Sequence, residues 1–420
     1  MKRKLLTLIL IFAALDSAGE ILPGFSLWLV GPTSGFVTSI AFDADDSLYY
    51  TTTDGAIWVL DENGLSEEVA RVSSANEGNA ALLGMAFEEG GTIVVHYVSS
   101  DLAADVVSRI ELQTGEETVL ARLPCFESGA KCPSEHHGGN PVVSSDGSIF
   151  VGIGDYGLMN LAQREDLNAS KIFRITPAGD VEIWARGFRN PFDFGWDGDR
   201  ERLIGADNGD GSKDDEIVFV GEGENHGWPL TMGDAPPVEG MTPPVYVFDE
   251  TVAPTGVMLP VSSEGWFRRG VLVTSFVTRA LYFFPRYDES TIEPPVTIFR
   301  GETVPLVDVR QNGAGDVYVA TGFAIYRLLD PIPGDADGNG EVTAEDRIAL
   351  LEELRDSTGG RTELAHEGSY CASWGADVNQ DGFIDSSDLA ELSRRMGERK
   401  RTTGHPVRSR DRPISRSRPD

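Results

Sequence analysis

Cysteine, lysine and long apolar segments are all scarce in this chain of 420 residues. Three cysteines are too few to build a disulfide scaffold, which excludes the small cysteine-rich secreted folds. No stretch beyond the N-terminal segment is apolar enough to span a bilayer. Lysine occurs only six times, and the net charge is −32. So acidic a chain argues against nucleic acid as a partner.

The N-terminus has the pattern of a secretory signal. Residues 2–4 are basic and residues 5–14 are nearly all apolar, but this run is too short to cross a membrane. We therefore interpret residues 1–18 as a signal peptide and expect a secreted or periplasmic protein. In such a compartment Cys125 and Cys132, which are seven residues apart, are expected to form a disulfide.

Charge separates two segments near the C-terminus. Residues 334–398 carry 16 acidic and 5 basic side chains, whereas residues 399–420 carry 2 acidic and 8 basic ones. The basic tail is also rich in serine and proline, a composition typical of disorder. We predict a disordered tail from residue 399.

Residues 25–330 consist of short β-rich runs separated by Asp-Gly, Asn-Gly and Gly-Gly turns, without a convincing long amphipathic helix. Three apolar runs joined by two turns recur six times, in Val37–Leu60, Leu82–Leu112, Pro141–Ile175, Phe192–Val220, Val257–Phe284 and Leu306–Leu328. This repeat predicts an all-β fold, a six-bladed β-propeller. A large β-sandwich is the alternative, and it explains the repeat less well.

Two acidic loops downstream have the ligand spacing of calcium sites. Each has oxygen side chains at positions 1, 3, 5, 9 and 12 and glycine at position 6, and position 7 offers its backbone carbonyl. Calcium prefers six to eight oxygen ligands, which one such loop can supply. The predicted ligands are Asp335, Asp337, Asn339, Glu341, Thr343 and Asp346, and then Asp377, Asn379, Asp381, Phe383, Asp385 and Asp388.

An apolar helical run follows each loop, and the pair resembles dockerin repeats. Dockerins are small calcium-folded modules that end each loop in Asp, as Asp346 and Asp388 do here. For residues 334–396 the resemblance implies a small α-helical, EF-hand-like module, bound calcium and a cohesin-like protein partner. Loop positions 10 and 11, which contact the partner in dockerins, differ between the two loops, being Ala344-Glu345 and Ser386-Ser387. Calcium binding is therefore the stronger inference.

Three segments of the β-rich region carry side chains suited to a functional site: the stretch from His136 to Asp155, the run Gly187–Pro191, and the acidic run Asp207–Ile217, which Asn225–Pro229 follows. His136 lies in a glycine-flanked loop, as a general base would, and Asp155 follows a predicted strand and could orient it. Arg189, in a Gly-Phe-Arg-Asn-Pro run, could stabilise a developing negative charge. Each of these patterns also occurs in purely structural loops, strand ends and turns.

Taken together and in this order, the segments resemble the glucose/sorbosone dehydrogenase family of soluble quinoproteins. The resemblance covers about residues 30–330 and rests on H-x-G-G, G-x-R-N-P, D-D-E-I and N-x-G-W-P motifs. It implies a six-bladed propeller that oxidises sugars with pyrroloquinoline quinone (PQQ) and calcium. His136 would take the proton of the anomeric hydroxyl, and Asp155 would hold His136. The resemblance further implies that the cofactor lies near Arg189, Asn79, Asn190 and Thr251, and calcium at Gly209 and Asp210.

The resemblance has departures at positions that hold the cofactor. The family's lysine and two arginines correspond to Val277, Pro305 and Val307. PQQ is a tricarboxylate, so losing three cations is expected to cost several kcal/mol of binding, at about 1.5–3 kcal/mol each. Arginines that could compensate are Arg268, Arg269, Arg279 and Arg310.

Two functional hypotheses follow. The first is an exported quinoprotein-like oxidoreductase acting on a small sugar or another alcohol. The alternative is a catalytically inactive or differently active propeller that binds carbohydrate or protein and is tethered through its calcium module.

Overall fold

The computed structural model describes residues 19–88, 90–126, 128–211, 213–260, 266–268, 270–356, 362–363, 373–381 and 383–403. The chain forms two compact units, Met1–Leu329 and Asp330–Asp420. The predicted signal segment, residues 1–18, lies outside the described residues, as do residues 404–420 of the predicted tail.

The first unit is a ring of six antiparallel sheets, numbered here as blades 1 to 6 in chain order. Blade 1 contains Val37–Phe42, Leu48–Thr52, Ala56–Leu60 and Ser66–Arg71, and blade 2 contains Leu82–Phe87, Thr92–Val98, Ala104–Glu111 and Glu116–Pro124. Blade 3 contains Val142–Val143, Ile149–Ile153, Lys171–Ile175 and Val181–Arg186, and blade 4 contains Pro191–Asp197, Arg202–Asp207, Glu216–Val220 and Tyr246–Val247. Blade 5 contains Pro254–Met258, Val271–Ser275, Ala280–Phe284 and Val296–Arg300, and blade 6 contains Leu306–Gln311, Val317–Thr321 and Ala324–Leu329.

The N-terminal segment closes the ring. Ser26–Pro32 pairs with Ala324–Leu329 and becomes the outer strand of blade 6, and Glu20–Ile21 pairs with Val296–Arg300 of blade 5. The first strands of successive blades contact one another, and that of blade 6 contacts that of blade 1. The N-terminal and C-terminal strands of the propeller therefore both belong to its last two blades.

Apolar side chains between neighbouring blades form the core. Phe150 and Ile172 of blade 3 pack with Phe194 and Leu203 of blade 4, for example, and comparable clusters join the other blades. A blade buries its faces only against its neighbours, which explains the repeat in the sequence. The six-bladed propeller is thus confirmed, and each predicted repeat corresponds to the first three strands of one blade.

In its described residues, the second unit contains two α-helices, Ala344–Asp356 and Ser386–Thr403, a 3-10 turn at Trp374–Ala376, and a short strand pair formed by Thr362–Glu363 and Phe383–Ile384. Its described core has buried apolar residues from both helices and both acidic loops, including Leu350, Val378 and Leu392. The second helix ends at Thr403, and most of the predicted disordered tail lies beyond it, outside the described residues. In the part of the chain that the structure describes, no helix combines the length and apolarity needed to cross a membrane.

Candidate functional site

The predicted catalytic and cofactor residues of the propeller lie at one end of its channel. In an antiparallel blade, the first strand begins at the end where the second strand finishes. Asp155 follows the second strand of blade 3, Asn190 precedes the first strand of blade 4, and Thr251 lies just before blade 5. Loops from several blades therefore converge there, an arrangement that lets their side chains act on one ligand.

His136 and Asp155 form a hydrogen-bonded pair in which Nδ1 of His136 lies 2.6 Å from Oδ1 of Asp155. Burial disfavours the charge of Asp155, but hydrogen bonds from His136 and Trp228 outweigh burial and lower the pKa of Asp155. An ionised carboxylate only accepts hydrogen bonds, so Nδ1 of His136 carries the proton. Nε2 of His136, whose side chain is 15% exposed, is left as the basic nitrogen.

The loop that carries His136 is held by its backbone. His136 has a φ of 52°, a left-handed conformation that is strained for a residue other than glycine. The N–H of Gly138 donates to Oδ1 of Asn190 at 3.1 Å. A Cβ at Gly138 would lie 2.0 Å from the carbonyl oxygen of Gly152, so only glycine fits. Asn190 therefore positions the loop of the candidate base.

Two further features border this loop. Cys125 and Cys132 form the predicted disulfide just upstream of it. Asn79 is exposed, and its backbone N–H donates to the carbonyl oxygen of Ser134 at 2.8 Å. The predicted cofactor contact of Asn79 thus lies beside the His136 loop, and its role in binding stays a prediction.

The residue after His136, His137, forms a buried ion pair with Asp105. Nδ1 of His137 is 2.9 Å from Asp105, and the Tyr156 hydroxyl donates to the same carboxylate at 3.0 Å. Nε2 of His137 is 2.7 Å from the carbonyl oxygen of Pro133, so both ring nitrogens face acceptors. Burial opposes the imidazolium, but the charge of Asp105 prevails and the pKa of His137 is raised. Because His137 is completely buried, His136 is the one of the two that can reach a ligand.

Buried Asp207 fixes the backbone of Arg189 and Asn190, whose N–H groups donate to its two oxygens at 2.9 and 2.6 Å. The Arg189 guanidinium donates to the carbonyl oxygen of Asn208 at 3.0 Å and lies 3.4 Å from Asp210. Burial raises the pKa of Asp207 to about 7, against the effect of its backbone hydrogen bonds. Arg189 therefore places a positive charge among several carboxylates.

Asp215 organises the loop that contains the predicted calcium ligands Gly209 and Asp210. Its buried carboxylate accepts the N–H of Gly209 at 2.8 Å and two N–H groups of the segment before blade 5 at 2.7 Å each. Beside them, the hydroxyl of Thr251 donates to the carbonyl oxygen of Gly211 at 3.0 Å. The structure thus joins the predicted calcium loop to the predicted cofactor contact at Thr251.

The cations available for a tricarboxylate are fewer than the resemblance implies. Val277, at the position of the family's lysine, is 47% exposed. Arg310 does not compensate, because it pairs with Asp193 at 3.0 Å and with Asp308 at 2.8 Å. It lies near the end of the first strand of blade 6, where it borders a cavity of about 390 Å³ at the opposite end of the channel. Arg269 is outside the described residues.

The two acidic loops of the second unit have the same internal hydrogen bonds. The carboxylate at position 12 accepts N–H groups from positions 3 and 9, at 3.1 and 2.6 Å for Asp346 and at 3.1 and 2.8 Å for Asp388. Carboxylate oxygens of Asp335, Asp337 and Asp346 lie within 4.8 Å of one another. Burial and the two neighbouring carboxylates raise the pKa of Asp337. The remaining predicted ligands occupy the same two loops: Asn339, Glu341, Thr343, Asp377, Asn379, Asp381, Phe383 and Asp385.

The fold and this site define a class of protein, a six-bladed β-propeller with a histidine–carboxylate pair and an acidic loop at one end of its channel. The sequence matches the Glucose / Sorbosone dehydrogenase family over residues 36–327, and the chain belongs to that family. Among curated protein sequences, none is significantly similar to this chain.

Solved structures share the fold at low sequence identity. The PQQ-bound aldose sugar dehydrogenase of Streptomyces coelicolor is 20% identical, with a TM-score of 0.63 over 73% of this chain and 99% of that one. The apo form of the soluble aldose sugar dehydrogenase of Escherichia coli is 18% identical, with a TM-score of 0.65 over 73% and 99%. A calcium structure of a Trichoderma reesei Carbohydrate-Active Enzymes Family AA12 protein is 14% identical, with a TM-score of 0.59 over 74% and 97%.

Several residues of the site were not assigned a role from the sequence. Asp207 and Asp215 hold backbone N–H groups, and Trp228 donates to Asp155 at 2.9 Å. Asp215 and Trp228 lie in the D-D-E-I and N-x-G-W-P motifs, and Asp207 begins the acidic run that leads to the first of them, which was the available signal. Asp105, the partner of His137, lies in a β-strand with no motif around it.

Proposed function

We propose that this protein is an exported quinoprotein-like oxidoreductase that oxidises a hydroxyl group of a sugar or another alcohol, with PQQ and calcium as cofactors. The observation that carries the proposal is the His136–Asp155 pair, with Arg189 at the same end of the channel. Family membership supports the sugar dehydrogenase class. Substrate, cofactor and export are the proposed parts.

Oxidation of an alcohol to a carbonyl removes the hydroxyl proton and a hydride from the adjacent carbon. Nε2 of His136 would accept the proton, and Asp155, already bonded to Nδ1, would stabilise the imidazolium that forms. Arg189 would favour the negative charge that develops on the substrate oxygen as the proton leaves. PQQ, when bound, supplies the two-electron acceptor for the hydride.

The acidic loop of blade 4 suits a calcium ion. Burial and nearby carboxylates raise the pKa values of Asp214 and Glu216, which shows an excess of negative charge in this region. Calcium is a hard cation that takes carboxylate and backbone carbonyl oxygens. Gly209 and Asp210 would supply those oxygens from the loop that Asp215 braces.

The polar groups at the channel end also fit PQQ, but with fewer cations than the family pattern has. Arg189 would contact the cofactor, together with Asn79, Asn190 and Thr251. Arg279, close to Val277 at the start of a blade 5 strand, is the described arginine best placed by sequence to add charge. We therefore expect PQQ to bind, more weakly than to a site with all three family cations.

The exposed Val277, with Pro305 and Val307, favours a second candidate function. If the cofactor does not bind, the same end of the propeller would recognise carbohydrate or protein without redox chemistry. The polar loops and the buried network would then serve only to shape a binding surface.

A titration of the full chain with PQQ at saturating calcium, followed by reduction of an artificial dye with a panel of sugars and alcohols, tests the proposal. We expect His136→Ala to bind PQQ and to lose about 10²–10⁴-fold in turnover, because the hydroxyl proton has no base. Arg189→Ala is expected to impair turnover, whereas Arg164→Ala, an exposed arginine outside the site, is not. Failure of PQQ to bind at high micromolar concentration would leave only the binding propeller.

We propose that the second unit is a dockerin-like module that binds two calcium ions and a cohesin-like protein. The matching hydrogen bonds of the two loops support paired calcium sites. Ile348 and Leu351 on the first helix are exposed, as the apolar part of a docking surface would be. Binding of a cohesin to the full chain with calcium, lost on adding chelator, is the outcome expected.

A further inference from the structure

Trp228 contacts two of the candidate catalytic residues, Asp155 and Arg189. Its indole N–H donates to Oδ2 of Asp155 at 2.9 Å, while Oδ1 of Asp155 serves His136 and the N–H of Gly157. The Cζ atom of Arg189 lies 5.8 Å from the centre of the Trp228 ring, within range of a cation–π interaction. The buried Trp228 side chain therefore links the His136–Asp155 pair to the guanidinium of Arg189.

Trp228 is itself firmly held. The side chain is 7% exposed, and its backbone N–H donates to the carbonyl oxygen of Gly187 at 2.9 Å. The amide of Gln163 donates to the Trp228 carbonyl oxygen at 2.7 Å. A ring fixed in this way can define the orientation of the groups that it contacts.

We propose that Trp228 is a positioning residue for the His136–Asp155 pair, an inference that rests on the proposed oxidoreductase function for its catalytic meaning. The indole N–H can only donate, so it fixes Oδ2 of Asp155 as an acceptor. Oδ1 then faces Nδ1 of His136 and holds the imidazole in the tautomer whose Nε2 is free of a proton. Without this bond only the N–H of Gly157 orients the carboxylate beside His136, so the imidazole is held less firmly in that tautomer.

Variants that remove the indole N–H of Trp228 but keep an aromatic ring distinguish the effect of the hydrogen bond to Asp155 from the effect of packing. Trp228→Phe keeps the contact with Arg189 and removes the donor. Incorporation of 3-benzothienylalanine at position 228 keeps the whole indole shape and replaces N–H by sulfur, which covers the case in which the phenylalanine variant folds poorly. The matched control is Trp184→Phe.

Trp184 is also 7% exposed and has an arginine, Arg174, 5.6 Å from its ring centre. Its Nε1 makes no hydrogen bond to any described residue. The two tryptophans thus share burial and cation–π contact and differ in the bond to a carboxylate.

The first measurement is the tautomer of His136 in the cofactor-free protein, by nitrogen-15 NMR. The wild type and Trp184→Phe are expected to show the Nδ1–H form, and both changes at position 228 a mixture of tautomers. In the dye assay, kcat of the position 228 variants is expected to fall roughly 10- to 100-fold at nearly unchanged KM, the size of one hydrogen bond to a charged group.

An unchanged His136 tautomer in both variants at position 228 would overturn the inference. If no sugar or alcohol is oxidised even by the wild type, the oxidoreductase proposal fails, and the NMR measurement still decides whether Trp228 positions His136. If the wild type is active and Trp228→Phe lowers kcat no more than Trp184→Phe does, Trp228 is a packing residue.

Discussion

Replacing Asp105 by asparagine tests whether the ion pair behind the candidate base holds the fold together. Asp105 is completely buried and accepts hydrogen bonds from His137 and Tyr156. Asparagine has almost the same shape but no charge, so the His137 imidazolium would lose its counter-ion. Removing one partner of a buried ion pair typically costs about 3–5 kcal/mol.

At about 2 °C per kcal/mol for a large domain, this loss corresponds to a fall of roughly 6–10 °C in the melting temperature of the propeller. Thermal unfolding of the full chain, followed by near-ultraviolet circular dichroism, is the assay. The control is Glu165→Gln, which removes a surface ion pair with Arg186 on a side chain that is 76% exposed. That change is expected to cost less than about 1 kcal/mol.

The effect of Asp105→Asn is expected to depend on pH. The folded-state pKa of His137 is raised, so its stabilising effect is complete below the unfolded value of about 6.5 and is lost as pH rises through the folded value. Burial disfavours the charge of Asp105, but the charge and hydrogen bond of His137 prevail, so the pKa of Asp105 is lowered. Its contribution is therefore present above about 3.9 and lost at lower pH. The difference in melting temperature between the wild type and Asp105→Asn should be largest near pH 5–6. If the melting temperature of Asp105→Asn in this pH range lies within 2 °C of that of the Glu165→Gln control, the charged pair is refuted, because about 2 °C corresponds to only 1 kcal/mol.

Further predictions concern the His136 loop and the calcium module. Gly138→Ala should abolish folding or activity, because its Cβ would meet a carbonyl oxygen at 2.0 Å, whereas Gly179→Ala, at a similar positive φ with open space, should cost only about 1 kcal/mol in thermal unfolding. Removing the Cys125–Cys132 bond by alanine substitution should lower stability by about 2–4 kcal/mol, and mass spectrometry without reductant should show both thiols protected in the purified protein. Asp346→Ala should lower the calorimetric count of calcium ions on the full chain from three, two in the acidic loops and one in blade 4, to two, and an unchanged count would contradict the assigned ligands.

The sequence by itself determined the repeat and its period. Three apolar runs with turns between them are a local pattern, since side chains alternate along each strand and glycine or aspartate marks each turn. The inner three strands of the blades are mostly buried and could be read in this way. The outer strand Ser66–Arg71 of blade 1, by contrast, is mostly polar and has no buried residue, so its sequence carries little periodic signal.

Local motifs also indicated His136, Asp155 and Arg189 as a group. Each of these residues lies in a loop before or after a blade strand. In a propeller, the loops at one end surround the same channel and therefore lie close together. Both acidic loops of the second unit were equally readable, because all ligands of such a loop lie within twelve residues.

Only the tertiary structure decided which distant groups meet. Ring closure brings Ser26–Pro32 beside Ala324–Leu329, and it turns Arg310 toward Asp193 and away from the candidate site. The bond from Trp228 to Asp155 joins residues 73 positions apart. Such pairings depend on how six sheets pack around one axis, and no local pattern of residues encodes that geometry.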